Sequence, residues 1–386
     1  MQRPYLSYYM KNNISPVTKH IVNKQAFFLQ RNYLYHSLGI LPLVKGNTLL
    51  EFGPGNGVNA IYNYSLSPKK YTLVDGNPIA IKNTETNLSE YFPNLDHIEI
   101  FHSLIEDFLH HPTYDIVICE NVISNQKFPS KFVQMISQNV KPNGVLVITC
   151  NDAVSLLSET LRGLVGLFIS RHINSHEAKI DYLAKYFFSH LDALKVVGRD
   201  FKDWILDNVL YSEWLMDAKL FSYEEAIVSL SNEFIFYHSS PQFYNDMRWY
   251  KVVCDRDALL DTNLMAVECY YKNMINFLDY RLNLSPHSTD LGNKISELSK
   301  NIRILCGKFL HKFEEDVLNH LVDQIEALAN LIKEITPRTF RSLCSYASMI
   351  RTNQFDLMTS DSDLIEWWGR GTQYMSLIKQ SDNNLL

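Results

Sequence analysis

Apolar positions along this chain recur with two different periods. Within Ile21–Leu41 they fall at helical spacing: Phe27, Phe28, Tyr33, Leu34, Leu38 and Leu41 lie on the repeat, and Gly39 and Pro42 close it. One amphipathic helix is expected there. From Thr48 the texture changes. Short runs rich in Val, Ile and Leu appear at Thr48–Phe52, Tyr71–Val74, Ile98–Phe101, Ile116–Cys119 and Val145–Thr149, each bounded by Gly, Pro, Asn or Asp. Unbroken apolar runs this short fit strands buried on both faces of a parallel sheet. The spacers of roughly 15–25 residues between them suit crossover helices. The predicted class is α/β, a doubly wound Rossmann-like sheet. Residues from about 153 to 232 read as a helical cap inserted before a sixth run, Glu233–Tyr237, that returns to the sheet.

Beyond about residue 255 the strand pattern stops. Helices are expected over Asp257–Leu282, Asp290–Phe309, Glu314–Ile335, Arg338–Ile350 and Asp361–Ile378. In the third of these, Leu318, Leu321, Ile325, Leu328, Ile332 and Ile335 form an a/d seam that Thr336-Pro337 terminates. Such a seam serves either a bundle within the chain or a homodimer through the C-terminal helices. The expected organisation is an α/β domain over 1–252, carrying the cap, followed by an all-helical C-terminal domain over 253–386.

Composition narrows the function. A chain of 386 residues is long enough for two domains, and 46% apolar with 20% charged residues describes a folded protein rather than a disordered one. A net charge of -6 argues against nonspecific nucleic-acid binding, whose affinity comes from Lys and Arg. No apolar run approaches the ~20 residues of a membrane span; Leu161–Ile169 is short and carries Arg162. Met1–Asn13 lacks the apolar core of a signal peptide. The cysteines at 119, 150, 254, 269, 306 and 344 make no C-x-x-C pair, and no histidine cluster has zinc spacing. Reduced thiols in the cytoplasm, no metal, and neither a nucleic-acid nor a membrane partner are the expectations.

The candidate chemistry lies at Leu49-Leu50-Glu51-Phe52-Gly53-Pro54-Gly55-Asn56-Gly57, a strand running through a glycine turn into a helix. Glycines permit the turn and close approach to a ligand, and the helix N-terminus attracts a carboxylate. Eighteen residues after Gly57, Asp75 ends the second apolar run and is placed to take both hydroxyls of a ribose. Two adenosyl cofactor classes compete. The dinucleotide fingerprint wants a third glycine where this chain has Val58. Glu51, just before the glycines, would repel a pyrophosphate and attract an ammonium, so a cofactor with an amino-acid tail fits better.

At this point the sequence resembles the class I S-adenosylmethionine-dependent methyltransferases. Leu49–Gly57 looks like their motif I and Val74-Asp75 like the ribose motif. Ile98–Phe108 is similar to the third strand and adenine turn, Tyr114–Glu120 to the fourth strand, and Val140–Ile148 to the approach to the fifth. The resemblance covers roughly residues 25 to 150 well, weakens to about 250 and is absent beyond. It implies S-adenosylmethionine as cofactor and S-adenosylhomocysteine as product. It also implies that Glu51 and the turn of Gly53, Gly55, Asn56 and Gly57 hold the methionine moiety. Asp75 would bind the ribose, Gly76 and Asn77 would flank the adenine, and Ser103 and Leu104 would border it. Ser103 stands where many members carry Asp. Glu120 would lie near the reactive methyl, and the Glu120-Asn121-Val122-Ile123 that follows the fourth strand is not the Asn-Pro-Pro-Tyr of some amine methylases.

The remaining candidates each carry more than one reading. Glu120 is a base, a substrate-cation anchor or a cofactor-orienting group. Asn151 and Asp152 follow the fifth strand and are candidate acceptor contacts. His172 and His176 have the right chemistry for a base but belong to a chain with many histidines; Arg171 lies beside them, and His110-His111 decorate a loop. Tyr211, Trp214, Phe243, Tyr244, Trp249 and Tyr250 form either core or the wall of a pocket. Arg370, between Gly369 and Gly371, either aims at an anion or marks a helix break. The expected activity is in-line methyl transfer to O or N of a small or medium organic acceptor. The rivals are a protein or peptide methyltransferase, and a cofactor-binding interaction protein without catalysis.

Overall fold

Seven strands form one sheet: β1 (Thr48–Phe52), β2 (Lys70–Asp75), β3 (Ile98–His102), β4 (Tyr114–Cys119), β5 (Val140–Cys150), β6 (Phe234–Ser240) and β7 (Gln373–Lys379), in the order β3-β2-β1-β4-β5-β7-β6. The structure is a computed structural model that describes residues 21, 23–108, 113–195, 200–210 and 220–381. His110-His111, Tyr211 and Trp214 lie outside the described residues. The first five strands pair in parallel, whereas β7 runs antiparallel between β5 and β6. The chain reverses its strand order at β1, with β2 on one side and β4 on the other. A doubly wound sheet opens its ligand crevice at that point, beyond the carboxyl ends of the strands.

The chain forms two units: residues 1–151, 219–270 and 372–386 make the α/β unit, and residues 152–218 with 271–371 make a helical one. The expected boundary at residue 252 is therefore corrected. The segment read as a cap and the C-terminal helices form a single unit, and the C-terminal segment is not all helical. Residues 373–379, read as the end of a helix, are strand β7, and only Ser362–Glu366 of that region is helical.

In the α/β unit, α1 (Lys24–Ser37), α2 (Val58–Ser65) and α3 (Pro78–Tyr91) precede α4 (Pro129–Ser137), α5 (Tyr223–Leu230) and α6 (Arg256–Lys272). Asn23 and Asn77 cap α1 and α3 through their side chains, and α5 opens with a capping box between Ser222 and Glu225. Tyr35, Leu38, Ile61, Tyr62, Tyr71, Leu73, Ile116 and Val147 belong to one buried cluster. Strand parity puts Leu49 and Glu51 on one face and Leu50 and Phe52 on the other. Leu49 joins that cluster, so Glu51 enters the same layer as a carboxylate. The outer edge of β6 is blunted by α6, where Asn263 accepts from Phe236 N–H (2.8 Å) and donates to the Phe234 carbonyl (2.9 Å).

In the helical unit, Leu321, Ile325, Leu328 and Ile332 are buried, with the helix Glu315–Ile332 packed against Thr289–Lys312 and Pro337–Thr352. Most of the seam is thus buried within the helical unit. Arg162, fully buried, donates to His190 Nδ1 (3.0 Å) and to the carbonyls of Leu364 (3.0 Å) and Trp367 (2.7 Å), with its guanidinium over Trp368.

Candidate active site

The turn after β1 is built for close approach. Gly53, Gly55 and Gly57 all sit at positive φ (71°, 62° and 77°), where a side chain would be strained. A Cβ on Gly53 would stand 2.5 Å from the Val122 side chain, and one on Gly57 would stand 2.8 Å from the Thr84 backbone. Helix α3 braces the turn: Thr84 Oγ1 donates to the Gly55 carbonyl (3.1 Å) and Asn87 Nδ2 to the Asn56 carbonyl (2.7 Å). Gly57 is the N-cap of α2, so the turn delivers the helix N-terminus to the crevice.

Asp75 ends β2 with its carboxylate fixed by backbone amides, Gly55 N–H at 3.3 Å and Asn77 N–H at 2.8 Å. Burial raises its pKa to about 6, and these amides hold it back from rising further. Asp75 and the glycine turn are thus joined directly. Next to it, Asn77 is buried; its Oδ1 accepts from Ile79 N–H, and its Nδ2 has no hydrogen-bond partner. Asn77 thus offers a buried amide donor beside the Asp75 carboxylate. Ser103 N–H bonds the Asp75 carbonyl (3.1 Å), and the Ser103 hydroxyl donates to Leu104 O (3.0 Å), which leaves its oxygen able to accept. Ser103 is thus tied to the backbone of Asp75, with Gly76 N–H also near the Asp75 carboxylate.

Glu51 and Glu120 are part of a buried network that the strand pattern did not reveal. Glu51 Oε2 accepts from Asn63 Nδ2 (2.9 Å) and from the Tyr71 hydroxyl. Burial, then the charge of Glu120, raises the Glu51 pKa to about 7. Asn63 in turn accepts from Tyr35, whose hydroxyl accepts from Arg31. Arg31 holds Glu120 through both terminal nitrogens, at 3.1 and 2.7 Å. Asn59 (2.9 Å) and Tyr374 (3.3 Å) also donate to Glu120.

Glu120 is buried and paired with Arg31 rather than exposed at the strand tip. Its Oε2 accepts from Arg31, Asn59 and Tyr374 and its Oε1 from Arg31, so the carboxylate is held in place at the β4 tip. Sequence reading missed Arg31, Tyr35, Asn59, Asn63, Thr84 and Tyr374. Arg31 stood among the polar residues of α1 with nothing to single it out, since its partner lies 89 residues away.

Other candidates also change role. Asn151 accepts from Phe221 N–H and donates to Ser124, pinning a bridge at the end of β5. Asp152 accepts from the amides of Val154 and Ser155, forming the turn that follows the strand. Arg370 donates to the carbonyls of Asn276 (2.8 Å) and Leu282 (2.7 Å), so it ties segments of the helical unit together and is not aimed at an anion. His172 and His176 are exposed residues of the helical unit, and His176 opens the helix His176–Leu194. Phe243 packs on Tyr223, Phe236 and Tyr270, as core, whereas Trp249 and Tyr250 are exposed. Among the described residues no group of His, Cys, Asp and Glu is arranged to hold a metal ion, and no helix is long and apolar enough to cross a membrane.

The α/β unit is a Rossmann-like sheet with an antiparallel β7, a three-glycine turn after β1 and an acid at the β2 tip, and the last two are features for which the sequence resembles the class I S-adenosylmethionine-dependent methyltransferases. Residues 27–185 match a family model described as a methyltransferase domain. The chain is similar to the mitochondrial ubiquinone biosynthesis O-methyltransferase of Schizosaccharomyces pombe, 25% identical over 182 residues. That similarity spans 45% of this chain and 62% of the relative. Among solved structures it is similar to the N-methyltransferase NodS of Bradyrhizobium japonicum WM9 in complex with S-adenosyl-L-homocysteine (18% identity, 33% of this chain and 63% of that one, TM-score 0.28). It is also similar to precorrin 8W decarboxylase of Methanobacterium thermoautotrophicum (19% identity, 34% and 66%, TM-score 0.28).

Proposed function

We propose that this protein binds S-adenosylmethionine at the β1–β2 edge and transfers its methyl group to O or N of a small or medium organic acceptor. The observation that carries the reading is the direct hydrogen bond between the glycine turn and the Asp75 carboxylate. It joins the part that approaches the amino-acid tail to the part that takes the ribose. The residues fit the cofactor: Asp75 would hold the diol, Asn77 and Ser103 the adenine, and Gly53–Gly57 with the α2 N-terminus the methionine end. Bound there, the cofactor supplies a methyl on a sulfonium, already electrophilic. The chain's own task is then alignment and exclusion of water. Arg31, Asn59 and Tyr374 fix the β4 tip through Glu120, and the bracing of Gly55 and Asn56 by α3 keeps the turn open. The match to a methyltransferase domain supports the reading, and the buried cysteines 119, 150 and 306 suit a reducing cytoplasm.

Titration calorimetry with S-adenosylmethionine and S-adenosylhomocysteine, followed by assay of S-adenosylhomocysteine release over a panel of phenols, carboxylates and amines, tests this. Turnover on a small acceptor supports it. Binding without turnover on any acceptor favours the interaction-protein reading, turnover on peptides only favours the protein-methylating one, and absence of binding rejects all three.

A further inference from the structure

Two carboxylates and one guanidinium share the buried layer at the carboxyl ends of β1 and β4. Glu51 and Glu120 are joined through Asn63, Tyr35 and Arg31, each hydrogen-bonded to the next. Around Glu51 the packed elements bring Asn63 from α2, Tyr71 from β2, Arg31 and Tyr35 from α1, Cys119 and Glu120 from β4, and Tyr374 from β7. Burial raises the three phenols and the thiol well above their ordinary range, so these four stay neutral. Among the described residues Arg31 is the only cation of the network, and both its terminal nitrogens are taken up by Glu120. Glu51 is thus a second acid without a cation of its own. Its donors, Asn63 Nδ2 and the Tyr71 hydroxyl, both fall on Oε2. A neutral carboxyl has this pattern: its carbonyl oxygen accepts twice and the other oxygen carries the proton. Burial, then the charge of Glu120, put its titration at about 7, in keeping with that geometry.

We infer that Glu51 distinguishes the sulfonium of S-adenosylmethionine from the neutral sulfur of S-adenosylhomocysteine, by giving up a proton when the sulfonium is bound. The inference rests on the methyltransferase reading, with the ribose at Asp75 and the amino-acid tail at the glycine turn. That placement brings the sulfur to the carboxyl end of β1, whose last two residues are Glu51 and Phe52. A positive charge there favours the ionised form of the carboxyl, and a buried layer screens it weakly. The tail's ammonium and carboxylate are common to both ligands, so the charge on sulfur is what separates them. The step is a proton transfer alone: the Oε1–H bond breaks, the carboxylate keeps the electron pair and the proton goes to water. Once the methyl has left, the sulfur is neutral, Glu51 takes a proton back and the product loses an attraction that the substrate had. By linkage, raising the pH favours S-adenosylmethionine over S-adenosylhomocysteine.

The test is calorimetry of the full chain with each ligand, at pH 7, in two buffers of different ionisation enthalpy. S-adenosylmethionine is expected to release up to about half a proton more than S-adenosylhomocysteine, because about half of the Glu51 carboxyls carry one there. The ratio of the two affinities is expected to rise about three- to tenfold from pH 6 to pH 8. Asp75 titrates alike for both ligands and cancels in that ratio. Glu51→Gln, which keeps the shape of the neutral carboxyl, should bind both ligands, flatten the rise and remove the difference in proton release. If circular dichroism shows that variant unfolded, the wild-type proton counts alone decide. Equal proton release by the two ligands, or a pH-dependent ratio that persists in Glu51→Gln, would overturn the inference and leave the methyltransferase reading standing. Binding of neither ligand would reject that reading and this inference with it.

Discussion

Asp75 is the residue on which the cofactor edge turns. Removing its carboxylate leaves the ribose hydroxyls without their acceptor and frees Gly55 N–H, so Asp75→Ala is expected to cost about 2–3 kcal/mol of S-adenosylhomocysteine affinity by calorimetry. Its raised pKa adds a pH signature. The diol needs the ionised carboxylate, so affinity should hold above about pH 6 and fall as pH drops through it, a dependence that Asp75→Asn should lack. Glu51 gives a stability signature of the opposite kind. Its folded pKa, about 7, lies above the ordinary 4.5. The folded state therefore keeps a proton that the unfolded chain has released, and stability falls as pH rises across that window. Glu51→Gln should remove the fall, and its denaturation midpoint relative to wild type should climb between pH 5 and 8, by the order of 2–3 kcal/mol. A parallel pair of curves would show that Glu51 is ionised throughout. The glycine turn and the Asp75 it hydrogen-bonds were legible because their spacing is local. Arg31 and Tyr374 were not, because pairing with Glu120 across 89 and 254 residues leaves no periodic trace.

At the scale of elements, β1, β2 and β4 are buried along most of their length and show as short runs rich in Val, Ile and Leu. β7 has the burial of an inner strand, yet its Gln, Tyr and Ser interrupt the run. Gln-Tyr-Met-Ser-Leu-Ile-Lys is too short to separate a period of 2 from one of 3.6, and the helices before it biased the reading. The turn between β1 and α2 is an element in which backbone and ligand chemistry coincide. A methyl group at Gly57 meets the Thr84 backbone at 2.8 Å in a left-handed conformation. Gly57→Ala is therefore expected to lower stability by about 1–3 kcal/mol and cofactor affinity at least tenfold, while Gly46→Ala, at positive φ but in open space, should cost only the backbone strain and leave affinity intact. Equal affinity in the two variants would mean that the turn does not form the site.

On the scale of the whole molecule, linear order misleads about domains. The chain leaves the α/β unit at residue 151, re-enters it for 219–270 and completes it only with 372–386. Nothing in the composition marks these crossings, and the one at residues 270–271 falls inside helix α6. One consequence can be tested by truncation. Residues 1–252 carry every residue proposed to hold the cofactor and would form a free-standing domain if the boundary were linear. They lack β7, however, which pairs Val145–Cys150 of β5 on one side and Phe234–Ser240 of β6 on the other. Without it, Leu146 and Ile148, wholly buried in the full chain, lie on an open, apolar strand edge, the geometry that recruits other chains. The 1–252 fragment is expected to be insoluble or to bind no S-adenosylhomocysteine. In the full chain, Leu377→Ala removes a buried contact but keeps the ladder, so it should lose about 2–4 kcal/mol and still bind. A soluble 1–252 fragment that melts cooperatively and binds the cofactor as the full chain does would show that the sheet closes without its last strand.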